Sequence, residues 1–310
     1  MTVLGFVSTW DRAPDWKAAL TALEPGLDFR IDPELGDARQ IEAALVWKPR
    51  PGALATMPNL KVIVSLGAGV DSLRREEMPA DVPVVRMIDP QLTRGMVEYV
   101  LYAVLRQHRY FPFFEDKQRA SAWDQGGPVP DTARTTVGVM GIGVIGGAIA
   151  RALREVGFAV RGWSRTPHAV EGIEGFHGAD GLAPFLAECR HAVCVLPLTP
   201  ATRGLIDARF LSLLPKGAHL INIGRGGHAD EAAILAALDS GRLGHATLDV
   251  FHQEPLPAEH RFWRHPGVTL TPHVASLTLA RTGAPHVIAA VRAVREGRRP
   301  DGLVDWARGY

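Results

Sequence analysis

The stretch Val137-Gly138-Val139-Met140-Gly141-Ile142-Gly143-Val144-Ile145-Gly146-Gly147 decides the fold, because it ends a strand and opens a helix. Residues 135–140 read as a buried β-strand. Ile145, Ala148, Ile149, Ala152 and Leu153 then recur at helical spacing until Gly157 supplies a C-terminal stop. Gly141, Gly143 and Gly146 therefore fall at the turn between them, where the pyrophosphate of a dinucleotide would lie. The first allows the tight turn, the second lets a phosphate approach the backbone, and the third lets helix pack on strand. A Gly-x-Gly-x-x-Gly alone is weak evidence. The strand before it and the helix after it favour nucleotide binding over a structural glycine turn.

One strand later the sequence bears on which nucleotide. Residues 159–163 form the next strand, and a site that prefers NAD would place Asp or Glu at its end to grip the ribose 2′-hydroxyl. The chain instead reads Ser164-Arg165-Thr166. No carboxylate stands there to repel a 2′-phosphate, whereas a guanidinium and two hydroxyls can bind one. The plain alternative is that Arg165 is a solvated loop residue. The missing acid and the arginine together favour NADP(H), with NAD(H) possible.

Other strand-like runs lie at 3–7, 43–47, 61–65 and 84–87, with a helical pattern over 15–23. Alternation of strand and helix predicts parallel sheets covered on both faces. A long helix is expected over 92–108, and residues 111–130, rich in aromatics, Gly and Pro, read as a surface excursion. The second series has strands at 137–140, 159–163, 191–196, 219–223, 246–250 and 268–271, and a crossover helix over 230–238 that stops before Gly241. A last helix around 285–296 has no strand after it, so it is free to return to the N-terminal domain. The expected class is α/β with two doubly wound parallel-sheet domains. One comprises 1–98 plus 280–310, and the other, 99–279, binds the dinucleotide.

Composition agrees with this and narrows the partners. The 310 residues suffice for two domains, and 46% hydrophobic with 22% charged residues is the balance of a globular protein. A net charge of +1 gives no reason to expect nucleic acid or an acidic membrane surface. The two cysteines, Cys189 and Cys194, have spacing that suits neither a zinc site nor a redox pair, and Cys194 reads as a core strand residue. No metal site is expected. With no signal-peptide pattern and no apolar run of membrane-spanning length, a cytoplasmic location is expected.

Ligands of open α/β sheets bind beyond the carboxyl ends of the strands. Arg225 follows one such end in Gly224-Arg225-Gly226, Asp249 and Glu254 lie at and after the next, and His273 follows the last in Thr271-Pro272-His273. An arginine can hold a carboxylate bidentately and polarise a neighbouring carbonyl. A histidine beside a carboxylate can donate a proton to a carbonyl under reduction. Each of these residues taken singly also fits a structural role, as a loop ion pair, a capping carboxylate or a half-buried histidine. His228 and His252 read as lining the surface or the cofactor cleft.

The chain resembles the D-isomer-specific 2-hydroxyacid dehydrogenases over nearly its full length, within them the glyoxylate/hydroxypyruvate reductase A branch. The resemblance is carried by 44–47 (Ala-Leu-Val-Trp), 66–72 (Leu-Gly-Ala-Gly-Val-Asp-Ser), the glycine pattern, Trp163-Ser164-Arg165 and 196–202 around Leu196-Pro197. It continues through 224–226, 248–257, Trp263-Arg264-His265-Pro266, 271–273 and the ending 307–310. It implies that Arg225 binds the substrate carboxylate, that His273 is the acid/base, and that Glu254 pairs with His273 and raises its proton affinity. It also implies that the backbone around Ala68 and Gly69 faces the same carboxylate, with Trp47 and Lys48 on the substrate side. Val144 and Ile145 would cover the pyrophosphate; Leu196, Pro197 and Thr202 would flank the adenosine half; Ile223 and Asp249 would face the nicotinamide. Trp123 would belong to an excursion that reaches a partner subunit, giving a homodimer. The expected activity is reduction of small 2-oxo acids such as glyoxylate and hydroxypyruvate. A dehydrogenase of another 2-hydroxy acid and a nucleotide-sensing binding protein on the same fold stay open as alternatives.

Overall fold

In the computed structural model, residues 2–8, 12–71, 73, 75–127 and 129–307 are described. Ser72, Arg74 and the ending 308–310 lie outside the described residues. The chain divides into two compact units, Met1–Leu92 with Leu277–Tyr310, and Thr93–Ser276. Both joins fall a few residues before the sequence-based ones at 98/99 and 279/280.

The first unit is built on β1 (Val3–Ser8), β2 (Asp28–Ile31), β3 (Ala43–Trp47), β4 (Val62–Ser65) and β5 (Val84–Val85). They form one parallel sheet in the order β2-β1-β3-β4-β5, a flavodoxin-like arrangement. Leu4, Phe6 and Leu45 point to one face, where α1 (Ala13–Leu23) lays Trp16 and Leu20. Val7, Val46 and Ile63 point to the other, against Leu54, Met57 and Val70. The last helix, Ala280–Arg295, belongs to this unit and packs Val287, Ile288 and Val291 beside α1. The return of the C-terminal helix to the N-terminal domain is thus observed.

Helix α2 (Pro90–His108) carries the chain into the second unit. It is followed by α3 (Phe111–Arg119), a helix inside the expected excursion that buries none of its residues. The second sheet comprises β6 (Thr136–Met140), β7 (Ala159–Ser164), β8 (Glu174–His177), β9 (His191–Cys194), β10 (Ala218–Asn222), β11 (Leu243–Leu248) and β12 (Val268–Leu270). All seven are parallel, in the order β12-β11-β10-β9-β6-β7-β8. The strand order reverses between β6 and β9, the position where doubly wound sheets open a crevice for a nucleotide.

Helix α4 (Val144–Val156) crosses from β6 to β7. It buries Ile149 and Leu153 against Val137, Val139 and Val160, each such side chain stabilising the unit by roughly 1.5–3 kcal/mol. Gly157 ends it at φ 107°, a left-handed cap. The remaining helices are α5 (Leu182–Leu186), α6 (Ala208–Leu213) and α7 (Glu231–Asp239), the last capped by the Asp230 carboxylate on the Ala232 and Ala233 N–H groups. The Ala280–Arg295 helix closes the series as α8.

The two sheets differ from expectation mainly at strand ends. Val195, Leu196 and Ile223 read as strand from their side chains, but β9 and β10 stop at Cys194 and Asn222, where the backbone turns into the crevice loops. The edge strands β2 and β8 carry no apolar run and escaped the reading.

Candidate active site

Six consecutive strands of the second sheet end on one edge, and each delivers a segment singled out in the sequence. From the middle outward, β6 leads into the glycine turn, β7 ends in Ser164 and β9 leads into Leu196-Pro197. Then β10 leads to Arg225, β11 to Asp249 and Glu254, and β12 to His273.

The glycine turn is dictated by contact. Gly141 has φ 100°, a left-handed conformation that a side chain disfavours. A Cβ on Gly146 would stand 1.8 Å from the Gly141 carbonyl oxygen, so strand and helix meet only with hydrogen there. At Gly143, the N-cap of α4, such an atom would have no heavy atom within 4 Å among the described residues. The first turn of α4 therefore faces open space with its N–H groups, Val144 being 59% exposed and Ile145 partly covered.

At the end of β7, Ser164 donates its hydroxyl to the Thr166 carbonyl at 2.7 Å, curling Arg165 and Thr166 outward into solvent. After β9, the Thr202 hydroxyl donates to the Pro197 carbonyl at 2.7 Å and accepts from the Thr199 N–H at 2.8 Å, which knots that loop. Leu196 and Ile223 are buried beneath it.

His273 and Glu254 are brought together. The imidazole Nδ1 lies 2.8 Å from Glu254 Oε2. A carboxylate accepts only, so Nδ1 carries the proton of that bond. His273 sits at φ 56° and is about a third exposed. A non-glycine residue there is held by its surroundings. Its N–H donates to the Asp249 carbonyl at 2.8 Å.

Asp249, 1% exposed, does more of this holding than the sequence suggested. Its carboxylate accepts from the Thr271 hydroxyl at 2.6 Å, the Val274 N–H at 2.8 Å and the Ala275 N–H at 3.0 Å. Burial raises its pKa, and these hydrogen bonds oppose the rise. Both oxygens are thus turned into the loop that carries His273. Tyr99 of α2 shares the network, its hydroxyl 2.6 Å from Thr271 Oγ1 and its pKa pushed up to about 12 by burial. Tyr99 and Thr271 were missed as supports; Thr271 stood inside the quoted Thr-Pro-His motif, while nothing marked Tyr99 among the apolar residues of its helix.

For His228 the first of the two sequence alternatives, a place on the surface, is overturned. It lines no surface: it is fully buried and bonded to the backbone around Arg225 and Pro197. His252 is exposed, with Nε2 2.5 Å from the Ala229 carbonyl oxygen. Arg225 is half-buried, its Nη1 donating to the Gly224 carbonyl at 2.8 Å.

In the first unit, Trp47 ends β3 and Lys48 follows it, and Ala68 and Gly69 follow β4. A Cβ on Gly67 would stand 2.3 Å from the Trp47 ring, so the indole lies flush on that turn. The Thr278 hydroxyl donates to the Leu66 carbonyl at 2.7 Å and anchors the same turn, a support no sequence signal marked.

A hollow of about 690 Å3 lies elsewhere, at the amino ends of β9, β10 and β11, lined by His108, Arg134, Arg190, His191, His219 and His245. It occupies the opposite edge of the sheet from His273. Among the described residues no group of three His, Cys, Asp or Glu side chains is placed to hold a metal, and no helix is long and apolar enough to cross a membrane.

Residues 101–275 match the family described as D-isomer specific 2-hydroxyacid dehydrogenase, NAD binding domain. The chain belongs to the D-isomer-specific 2-hydroxyacid dehydrogenases. Among relatives in this family, glyoxylate/hydroxypyruvate reductase A of Yersinia enterocolitica is 39% identical over 98% of this chain and 99% of its own length. A family structure from Xanthobacter autotrophicus Py2, in complex with NADPH and MES, is 47% identical with a TM-score of 0.95, covering 100% of this chain and 99% of that one. The NADPH-dependent glyoxylate/hydroxypyruvate reductase of Sinorhizobium meliloti, in complex with NADP and sulfate, is 38% identical with a TM-score of 0.92 and full coverage of both chains.

Proposed function

We propose that this chain reduces small 2-oxo acids, glyoxylate and hydroxypyruvate first among them, to 2-hydroxy acids, with NADPH preferred and NADH possible as reductant. The observation that carries the reading is the 2.8 Å contact of His273 with Glu254, on the same sheet edge as Arg225 and the glycine turn. The likeness to reductases named for these substrates supports the choice of acid.

The residues present fit a dinucleotide: side-chain-free backbone at Gly141 and Gly146, an open N-cap at Gly143, and no carboxylate in Ser164-Arg165-Thr166. When bound, the nicotinamide supplies the hydride that the keto carbon receives. Arg225 binds the substrate carboxylate with its guanidinium and polarises the adjacent keto group. His273, starting as the imidazolium, gives the keto oxygen its Nε2 proton and is left neutral with the Nδ1 proton still held by Glu254, so one ring orientation serves every turnover. Asp249 fixes the loop under that ring and flanks the nicotinamide side with Ile223, and Leu196, Pro197 and Thr202 flank the adenosine half. Within the first unit, Trp47, Ala68 and Gly69 are the candidates for the substrate, at the carboxyl edge of its sheet, the edge on which such sheets hold ligands.

The working unit is a homodimer through the cofactor domain. Tyr102, Phe111, Phe114, Trp123 and Val129 leave large apolar surface exposed on α2, α3 and the segment after them, which a second copy would cover. Sedimentation at micromolar concentration tests this, a monomer being the contrary result.

Initial rates with NADPH and NADH, each against glyoxylate and hydroxypyruvate, test the chemistry. Faster turnover with NADPH is expected. Faster NADH turnover would keep the reaction and reverse the cofactor preference. No turnover with any pair would remove these substrates.

A further inference from the structure

One buried histidine of the second unit touches two of the loops just described and takes no part in the proposed chemistry. The Nε2 of His228 lies 3.2 Å from the Pro197 carbonyl oxygen. A carbonyl only accepts, and Nδ1 also lies 3.0 Å from the Arg225 carbonyl oxygen; a proton on Nε2 serves both the Pro197 carbonyl and the Arg225 N–H, whereas one on Nδ1 serves the Arg225 carbonyl alone, so Nε2 carries it. In the neutral ring Nδ1 then has a lone pair, and the Arg225 backbone N–H donates to it at 3.0 Å. The ring lies against Gly224, where a Cβ would stand 2.9 Å from Cε1 and 3.0 Å from Nδ1. Backbone bonds brace it from beneath: the Ile206 N–H donates to the His228 carbonyl at 2.8 Å, and the Gly204 N–H to the Gly227 carbonyl at 2.9 Å. The Pro197 oxygen also accepts the Thr202 hydroxyl, so the histidine grips the knotted part of the loop after β9.

We infer that His228 is a positioning residue: through its Nε2–H tautomer it ties the backbone of Arg225 to the Pro197 loop, so that the substrate-binding arginine and the loop beside the cofactor are set as one piece. This rests on the proposed role of Arg225 in binding the 2-oxo acid. Without the ring, the Arg225 N–H would be left buried without this acceptor, and the arginine would lose its fixed starting point.

Two variants separate the two bonds. In His228→Asn the amide oxygen stands near the place of Nδ1 and keeps an acceptor for the Arg225 N–H. In His228→Gln the amide nitrogen stands near the place of Nε2 and keeps the donor to Pro197. The expected result is a KM for glyoxylate raised roughly tenfold in the Gln variant and within about threefold of wild type in the Asn variant, the loss of one buried hydrogen bond being of that size. NADPH affinity, read by fluorescence titration, should weaken more in the Asn variant. A merely structural histidine would lower both melting temperatures and leave the two KM values alike, which would overturn the inference. Nitrogen NMR of the wild-type ring needs no variant to fold: a proton on Nδ1 in place of Nε2 would also overturn it, whatever the turnover. Failure of the functional reading is separately visible, as a wild-type chain that reduces neither acid while its His228 signal still reports the Nε2–H form.

Discussion

At the scale of single residues, His273 concentrates the most consequence. Its ring is aimed by Glu254 and its backbone is held in a left-handed conformation by Asp249. His273→Ala is expected to lower kcat by roughly 100- to 10,000-fold, the usual worth of a placed proton donor; near-normal turnover would sink the mechanism. Glu254→Gln should leave the ring in place but replace the carboxylate with a neutral amide, giving a smaller loss in kcat with little change in the KM for NADPH. Arg165→Ala should raise the KM for NADPH while leaving that for NADH nearly unmoved, because only the 2′-phosphate needs the guanidinium. Equal effects on both would return Arg165 to the status of a solvated loop residue. The placement of His273, Glu254 and Arg225 beyond the carboxyl ends of strands was legible from sequence because each polar group follows a recognisable strand. His228 was not, since an exposed and a fully buried histidine look alike in a loop. What distinguishes it is the carbonyl of Pro197, thirty-one positions earlier in the chain.

At the scale of elements, the strand–turn–helix of β6 and α4 was legible almost to the residue, because apolar period and glycine placement agree there. The short edge strand β8 was not. Its Glu174-Gly175-Phe176-His177 carries no apolar run, and pairing with β7 alone makes it a strand. Helix α3 was hidden for the converse reason. It packs no residue into a core, so the signal was its aromatic and proline content, which points to loop as readily as to helix. The loop after β12 gives an element-scale prediction. In Asp249→Asn one acceptor oxygen becomes a donor facing the Val274 or Ala275 N–H, so the His273 loop should shift. The expected outcome is a fall in kcat with cofactor affinity retained, checked by rates beside fluorescence titration. A variant with wild-type kcat would show that the loop holds without the carboxylate.

At the scale of the whole molecule, the amino edge of the second sheet sets a limit on acid tolerance. His191 Nδ1 lies 3.1 Å from His219 Nδ1, His219 Nε2 is 2.9 Å from Thr247 Oγ1, and His245 Nε2 is 2.9 Å from Thr269 Oγ1. Burial pushes the His191 pKa down to about 3 and that of His245 to about 4, and holds His219 well below 6.5. The unfolded chain binds these protons from about pH 6.5 downward and the folded chain does not. Their stabilisation is therefore complete above pH 6.5 and is lost as pH falls toward 4, at about 1.4 kcal/mol per pH unit for each histidine. Urea unfolding followed from pH 7 to 4 should show this decline, and His245→Gln should flatten it by about one proton. An unchanged slope in that variant would assign the acid sensitivity to other groups.

The order of the strands has one more consequence, for redesign. Ser164-Arg165-Thr166 ends β7 and His273 follows β12, and five strand-to-strand steps separate them along the sheet, roughly 24 Å at the usual spacing. Groups that far apart would meet only through opposite ends of one bound cofactor, so their effects should be close to additive in free energy. A substitution that switches the reductant and one that tunes proton delivery should therefore multiply in their effects on rate. The two properties can be bred separately and then combined in a single chain.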